Sequence, residues 1–267
     1  MNNHAKVSVV MPAYNAEKYI GTAIASVVDQ TIDDWELIVV DDCSTDGTYG
    51  IVVEMAKKDP RIKCYRNEKN LGVAKTRNFG LDICTGEYVA LLDSDDVWYK
   101  DKMQRQLELL RSSNADIAYC SYAIVDEFGN KKCADFIVPS KTTYEQSLIQ
   151  SVISCSTVVL SREIVNKYRF SDNFYHEDLV LWLQLLKDGY VALGVPDVLA
   201  KYRVFSGGRS FNKVKSMINK FKVYRGFLKL SIWTSSILIL KSTISGMVKY
   251  KKPTPEIRCQ GGKSDQP

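Results

Sequence analysis

Short apolar runs alternate with segments of helical period through the first hundred residues. Residues 7–11 form a β-rich run ended by Pro12, and 16–29 then place Ile20, Ile24 and Val27 on one face of a helix. Residues 37–40 are continuously apolar, the pattern of a strand covered on both faces. The run from Asp42 to Gly47 interrupts it and offers a cap for a helix over 47–58. Residues 62–66, a helix near 73–83, and 88–92 repeat the cycle.

Strands alternating with helices of this length predict βαβ units and a mostly parallel sheet, in which ligands sit beyond the carboxyl ends of the strands. The polar clusters 12–15, 41–46 and 93–96 each follow a strand, so all three should line one crevice. Beyond residue 112 the pattern loosens: strands are expected at 117–121, 156–160, 190–195 and 198–202, and a helix at 177–187. The expected division is a catalytic domain over 1–211, a basic amphipathic helical tail over 212–252, and a polar, frayed terminus over 253–267.

Composition adds little until charge is followed along the chain. From Val198 to Pro255 there are thirteen basic residues and no acidic one, whereas residues 1–197 carry 21 basic and 29 acidic side chains, a net of −8. An acidic body joined to a basic tail implies an anionic partner for the tail. The seven cysteines are scattered, with no Cys-x-x-Cys pair, which argues for a reducing compartment and against a zinc cluster. The opening residues lack the basic-then-apolar pattern of a secretory leader, so a cytoplasmic chain is expected.

Asp93, Asp95 and Asp96 crowd three carboxylates into four residues after an apolar strand. Like charges this close raise one another's pKa unless a cation or hydrogen-bond donors compensate. A divalent ion, Mg²⁺ or Mn²⁺, shared with substrate phosphates is one answer. A solvated turn capping the segment that starts near Tyr99 is the other. Position at a strand's carboxyl end favours the metal and phosphate reading.

Five segments now resemble glycosyltransferase family 2, inverting enzymes of GT-A fold. They are Val7-Ser8-Val9-Val10-Met11-Pro12-Ala13-Tyr14-Asn15, the run from Trp35 to Thr48, Asn70-Leu71-Gly72-Val73-Ala74-Lys75-Thr76-Arg77-Asn78, Gly86-Glu87-Tyr88, and His176-Glu177-Asp178. The resemblance implies an α/β GT-A domain and a donor site including Pro12, Tyr14, Asp42, Arg77, Asp95, Arg203 and Arg209. Tyr14 would stack on the base and Asp42 accept the uracil imide hydrogen. The helix cap is the alternative role of Asp42, although Asp46 is better placed for it. Asp96, Asp95 and Asp93 would hold the metal. The loop Tyr202-Arg203-Val204-Phe205-Ser206-Gly207-Gly208-Arg209-Ser210 would close over the diphosphate.

Inverting transfer is a single displacement and needs one carboxylate to take the acceptor proton. The resemblance assigns this to Asp178, with Glu177 and His176 near the acceptor; helix-dipole stabilisation by two acids at a helix N-terminus is the structural alternative. It also implies a nucleotide-sugar donor and a saccharide or lipid-linked saccharide acceptor in surface-polysaccharide assembly. A sugar nucleotidyltransferase would not need the Glu177-Asp178 pair, and a non-catalytic binding protein would need neither acid cluster. No Ser-His-Asp order and no Gly-x-x-x-x-Gly-Lys loop is present.

In the tail, Phe227, Leu230, Trp233, Ile237, Leu240, Ile244 and Val248 recur at helical spacing, with Ser231, Ser235, Ser242 and Gly246 opposite. The uncharged run 230–240 reaches roughly 17 Å, short of a ~30 Å hydrocarbon core. A helix in the headgroup region of the inner membrane face, its lysines turned toward anionic lipid, fits better than a span. Docking on the body or another subunit is the alternative; no nucleic-acid recognition motif accompanies the charge.

Overall fold

The computed structural model describes residues 7–205 and 213–249. β1 (Val7–Ala13), α1 (Ile20–Val28), β2 (Trp35–Asp41), α2 (Thr48–Lys58), β3 (Ile62–Arg66), α3 (Val73–Ile83) and β4 (Tyr88–Leu91) alternate as the pattern predicts. β5 (Val97–Trp98), α4 (Lys102–Ser112), β6 (Ile117–Val125), β7 (Lys141–Thr142), α5 (Tyr144–Ile149), β8 (Val159–Ser161), α6 (Arg162–Lys167), α7 (Glu177–Lys187) and β9 (Ala192–Arg203) follow. One sheet runs β3-β2-β1-β4-β8-β6-β9-β5, with β7 also on β9. β1 to β4, β6 and β9 share one direction, and β5, β7 and β8 oppose it. Every residue of β1 and β2 is buried, so helices cover both faces of the sheet's centre.

Three local expectations change. Pro12 does not end β1, which continues to Ala13 beside β2. Pairing with β4 stops at Val10–Leu91, and the N–H that proline lacks faces that finished side, so no ladder bond is lost. The two strands expected at 190–195 and 198–202 are one strand, β9. Its register against β6 slips around Ser121, a bulge that absorbs Pro196 and Asp197. The strand expected at 156–160 begins later, because Cys155–Thr157 form a 3-10 turn held by Thr157 Oγ1 donating to the Ser154 carbonyl at 2.8 Å.

The C-terminal segment comprises α8 (Lys213–Lys222), a π-helical turn (Val223–Phe227) and α9 (Ile232–Lys249). It folds back on the body: Val223 packs with Leu179, Val180 and Leu183 of α7, beside Tyr144 and Leu148 of α5. The inward side of α9 is its serine face. Ser235 is fully buried, Ser242 Oγ accepts from Lys220 Nζ at 2.7 Å, and Ser245 Oγ donates to Gln150 Oε1 at 3.2 Å. Trp233, Ile237, Leu240 and Ile244 point outward and are 79%, 54%, 62% and 56% exposed.

Phe227 leaves the expected stripe, because the π-helical turn rotates it inward against Phe174. The side chain of Val248 and residues 253–267 lie outside the description. No described helix is long and apolar enough to cross a membrane.

Candidate active site

The carboxyl ends of β1, β2 and β4 bring the three polar clusters together. Asn15 donates its N–H to Ser44 Oγ at 2.9 Å and accepts from the Thr45 N–H through Oδ1 at 2.9 Å. Ala16 N donates to Thr48 Oγ1 at 2.7 Å. The first two clusters are thus one unit, and both Asn15 and Cys43 hold positive φ angles, 48° and 62°, at its rim. Pro12 is buried beneath it, and Tyr14 projects from it, 49% exposed.

Asp42 is 3% exposed and braces the loop that leads into α3. Its Oδ1 accepts from Asn67 Nδ2 and Leu71 N, and its Oδ2 from Gly72 N, all at 2.8 Å. Gly72 sits at φ 85°, a conformation glycine adopts without strain, and this aims its N–H at the carboxylate. Asp42 does not cap α2. Asp46 binds the α2 N-terminus instead, accepting from Thr48 N at 3.0 Å and Thr48 Oγ1 at 2.6 Å. Asp41 holds its own turn through Arg66 Nε at 3.3 Å.

The acidic turn leaves β4 between two arginines. Arg77 of α3 is 2% exposed; its Nη2 donates to Asp93 Oδ1 at 2.8 Å, and its Nη1 lies 3.6 Å from Glu177 Oε1. The Phe170 ring covers the guanidinium at 4.7 Å. On the other side, Arg203 N donates to Asp96 Oδ1 at 2.8 Å, and its Nε donates to the Asp95 carbonyl at 2.8 Å. Arg203 Nη1 donates to the carbonyls of Asp126 and Glu127, and the Tyr19 ring lies under the guanidinium. Both arginines therefore hold the turn from behind. Lys75, four-square on the surface, pairs with Asp172 at 3.1 Å.

Asp95 is pushed up to about 6 by burial and by Asp93. Asp96, 2% exposed, is raised well above the usual carboxylate range by burial and by Asp95 and Asp93. Asp96 Oδ2 is buried without a hydrogen-bond partner. An orphaned carboxylate oxygen beside a second carboxyl group held above its ordinary range fits a hard divalent cation whose remaining ligands come from substrate phosphates and water. The three-acid set expected from sequence is not gathered: among the described residues no three acidic, histidine or cysteine side chains converge on one point. Asp93 is taken by Arg77, which leaves Asp95 and Asp96.

At the head of α7, Asp178 is partly buried, and its pKa is raised by burial and by the adjacent Glu177. A carboxylate held above its ordinary range is a better proton acceptor near neutrality. Glu177 is 7% exposed and turned toward Arg77, while His176 Nε2 lies 3.1 Å from the Ser216 carbonyl of α8. One guanidinium thus ties the acidic turn to the Glu177-Asp178 pair, 84 residues later in the chain. Sequence reasoning placed the acids but missed this link, and missed Ser156, whose Oγ accepts from Asp93 N at 3.1 Å. Arg209 and Gly207-Gly208 lie outside the described residues.

The profile of glycosyl transferase family 2 matches residues 8–169. A putative teichuronic acid biosynthesis glycosyltransferase, TuaG of Bacillus subtilis, is 39% identical over 84% of this chain and 89% of its own length. An Escherichia coli relative, named UDP-Glc:alpha-D-GlcNAc-diphosphoundecaprenol beta-1,3-glucosyltransferase WfgD, is 38% identical over 84% of this chain and 87% of its own. Among solved structures, S. aureus TarS with UDP-GlcNAc superposes with a TM-score of 0.71 at 22% identity, covering 89% of this chain and 71% of TarS. The mannosyltransferase PcManGT of Pyrobaculum calidifontis, in complex with GDP-Man and Mn2+, gives 0.68 at 17%, covering 92% and 75%. The fold is GT-A, and the chain belongs to glycosyl transferase family 2.

Proposed function

We propose that the protein transfers a sugar from a UDP-linked donor, with inversion, to a lipid-linked saccharide in surface-polysaccharide synthesis. The observation that carries this reading is the Arg77 bridge, which sets the acid pair of α7 against the acidic turn. It ties Glu177, the neighbour of the proton acceptor Asp178, to Asp93, the neighbour of the carboxylates Asp95 and Asp96, and a nucleotidyltransferase has no use for a proton acceptor there. The UDP-sugar named for the E. coli relative and the UDP-GlcNAc held by TarS support the choice of donor. The diphosphoundecaprenol acceptor in the relative's name supports the lipid link.

In this mechanism Tyr14 offers an exposed ring for the base, and Asp42 keeps the floor of the base site rigid. Asp95 and Asp96 would hold a divalent cation, Mn²⁺ or Mg²⁺, which when bound supplies positive charge to the departing diphosphate. Asp178 takes the proton from the acceptor hydroxyl as that oxygen attacks the anomeric carbon and the nucleoside diphosphate leaves. The Leu179 N–H, donating to Asp178 Oδ1 at 2.8 Å, keeps the Asp178 carboxylate in place.

A screen of UDP-sugars with Mn²⁺, run on the parent and on Asp178→Asn, tests the assignment. Asp178→Asn should lose transfer by at least a hundredfold and keep UDP binding. In the parent, the rate should fall with decreasing pH as Asp178 is protonated, at a pH above the ordinary carboxylate range. Transfer by Asp178→Asn at the parental rate would sink the mechanism.

A further inference from the structure

A cavity of about 430 Å³ lies between the loop preceding α7 and the C-terminal helices. Asn173, Phe174 and Tyr175 form one wall, and Asn219, Lys222 and Arg225 the other. Its polar content is one-sided: two cations, two carboxamides and no carboxylate. Among the described residues neither cation has an acidic partner. Arg225 is held in place by its Nη1 donating to the Leu230 carbonyl. Lys222 ends α8 and Arg225 follows one turn later, so two positive groups stand side by side at the spacing of neighbouring helical positions.

The cavity also has a defined relation to the reaction centre. Tyr175 is three residue steps from Asp178, at most about 11 Å along even an extended chain. The contact between His176 Nε2 and the Ser216 carbonyl, at 3.1 Å, fixes the two walls to each other. On the outer side, Ile218, 53% exposed and one turn before Lys222, continues the wall into apolar surface. A ligand suited to this place carries two adjacent anionic groups, a sugar on the side of Asp178, and an apolar chain on the other. A nucleotide's diphosphate belongs at the acidic turn instead.

We propose that this cavity binds the diphosphate of a polyprenyl-diphosphate-linked acceptor, with Lys222 and Arg225 each engaging one phosphate. Phe174 and Tyr175 then face the first sugar, presenting its hydroxyl toward Asp178. The assignment rests on the lipid-linked acceptor proposed above, and charge-assisted pairing to two phosphates supplies the selectivity.

The test is binding of farnesyl diphosphate, in nonionic micelles, to the full chain with its donor site saturated by UDP. Lys222→Ala and Arg225→Ala should each weaken binding at least tenfold, with UDP affinity and melting temperature unchanged. Farnesyl monophosphate should bind the parent at least tenfold more weakly than the diphosphate. A charge-matched control, Lys58→Ala with Lys187→Ala, should stay within twofold of the parent. Parental binding by both cavity variants would overturn the proposal, as would an equal loss in the control. Equally tight, equally Lys222-dependent binding of phosphatidylglycerol micelles would make the cavity a general anionic-lipid contact and also overturn it. Diphosphate binding without sugar transfer to any lipid-linked acceptor would keep the cavity's assignment and refute the proposed function.

Discussion

An enclosed guanidinium needs anionic partners, because stripping water from a cation costs several kcal/mol. Arg77 finds two, Asp93 and Glu177, and neither is near it in sequence. Its helix shows why the role was hard to read. The buried residues of α3 are Ala74, Thr76, Arg77, Gly80 and Leu81, so a charged residue occupies a position that periodicity would give to an apolar one. The spacing put Arg77 on the right helix; only the packing reveals which side it faces. Asp42 was legible as important and its partners were not, since Leu71 and Gly72 of the segment 70–78 reach it through backbone N–H groups and Asn67 lies outside that segment. Removing the shared cation leaves a buried acid unpaired. Arg77→Met should therefore lower unfolding stability in urea by about 3 kcal/mol, the low end for a broken buried pair because Asp93 is a third exposed. A loss below about 0.5 kcal/mol, the usual range for an indifferent site, would show that the bridge contributes nothing.

At the scale of elements, the alternating first half was readable because each strand is a short apolar run bounded by turn residues. The second half was not, because β9 continues across Pro196 on a bulge, and a proline in sequence looks like a boundary. α4 carries a further feature that no pattern exposes. Its first residue, Lys102, is fully buried, its Nζ has no hydrogen-bond partner, and it sits 3.9 Å over the Trp98 ring. A cation at a helix N-terminus also opposes the helix dipole. Burial lowers its pKa from 10.5 to about 8, opposed by the nearby Cys120. Between those two values the unfolded chain binds more protons than the folded one, so stability rises with pH there. Lys102→Met should melt several degrees higher than the parent at pH 7, and its melting temperature should rise less than the parent's from pH 8 to 10, the remaining rise coming from Lys220, which burial also lowers to about 8. A variant that melts lower would show that the cation–π contact outweighs the burial cost.

For the whole molecule, the charge division and the direction of the tail's faces belong together. The serine face of α9 meets α5 and α8, and the apolar face, with Trp233 at its head, is turned out on a segment of basic sequence without acids. The sequence showed the stripe and left open which face would dock. It could not show that short hydroxyl side chains allow the close approach to the body while Trp233, Ile237, Leu240 and Ile244 stay outside. We propose that this face lies on an anionic membrane surface, where each nearby Lys or Arg adds about 1 kcal/mol and the apolar side chains enter the headgroup boundary. Deleting the tail is a poor test, because Val223 covers Leu179, Val180 and Leu183 of α7 and its loss would expose them. Ile237→Glu with Leu240→Glu is better, since both side chains are more than half exposed and the fold should tolerate the change. Parental Trp fluorescence should shift to the blue with phosphatidylglycerol vesicles and not with phosphatidylcholine, and the shift should weaken in high salt as the charges are screened. The double variant should keep its melting temperature and lose vesicle co-sedimentation by at least tenfold. Undiminished co-sedimentation would move the membrane contact off α9, and an equal response to both lipids would remove the basic residues from it.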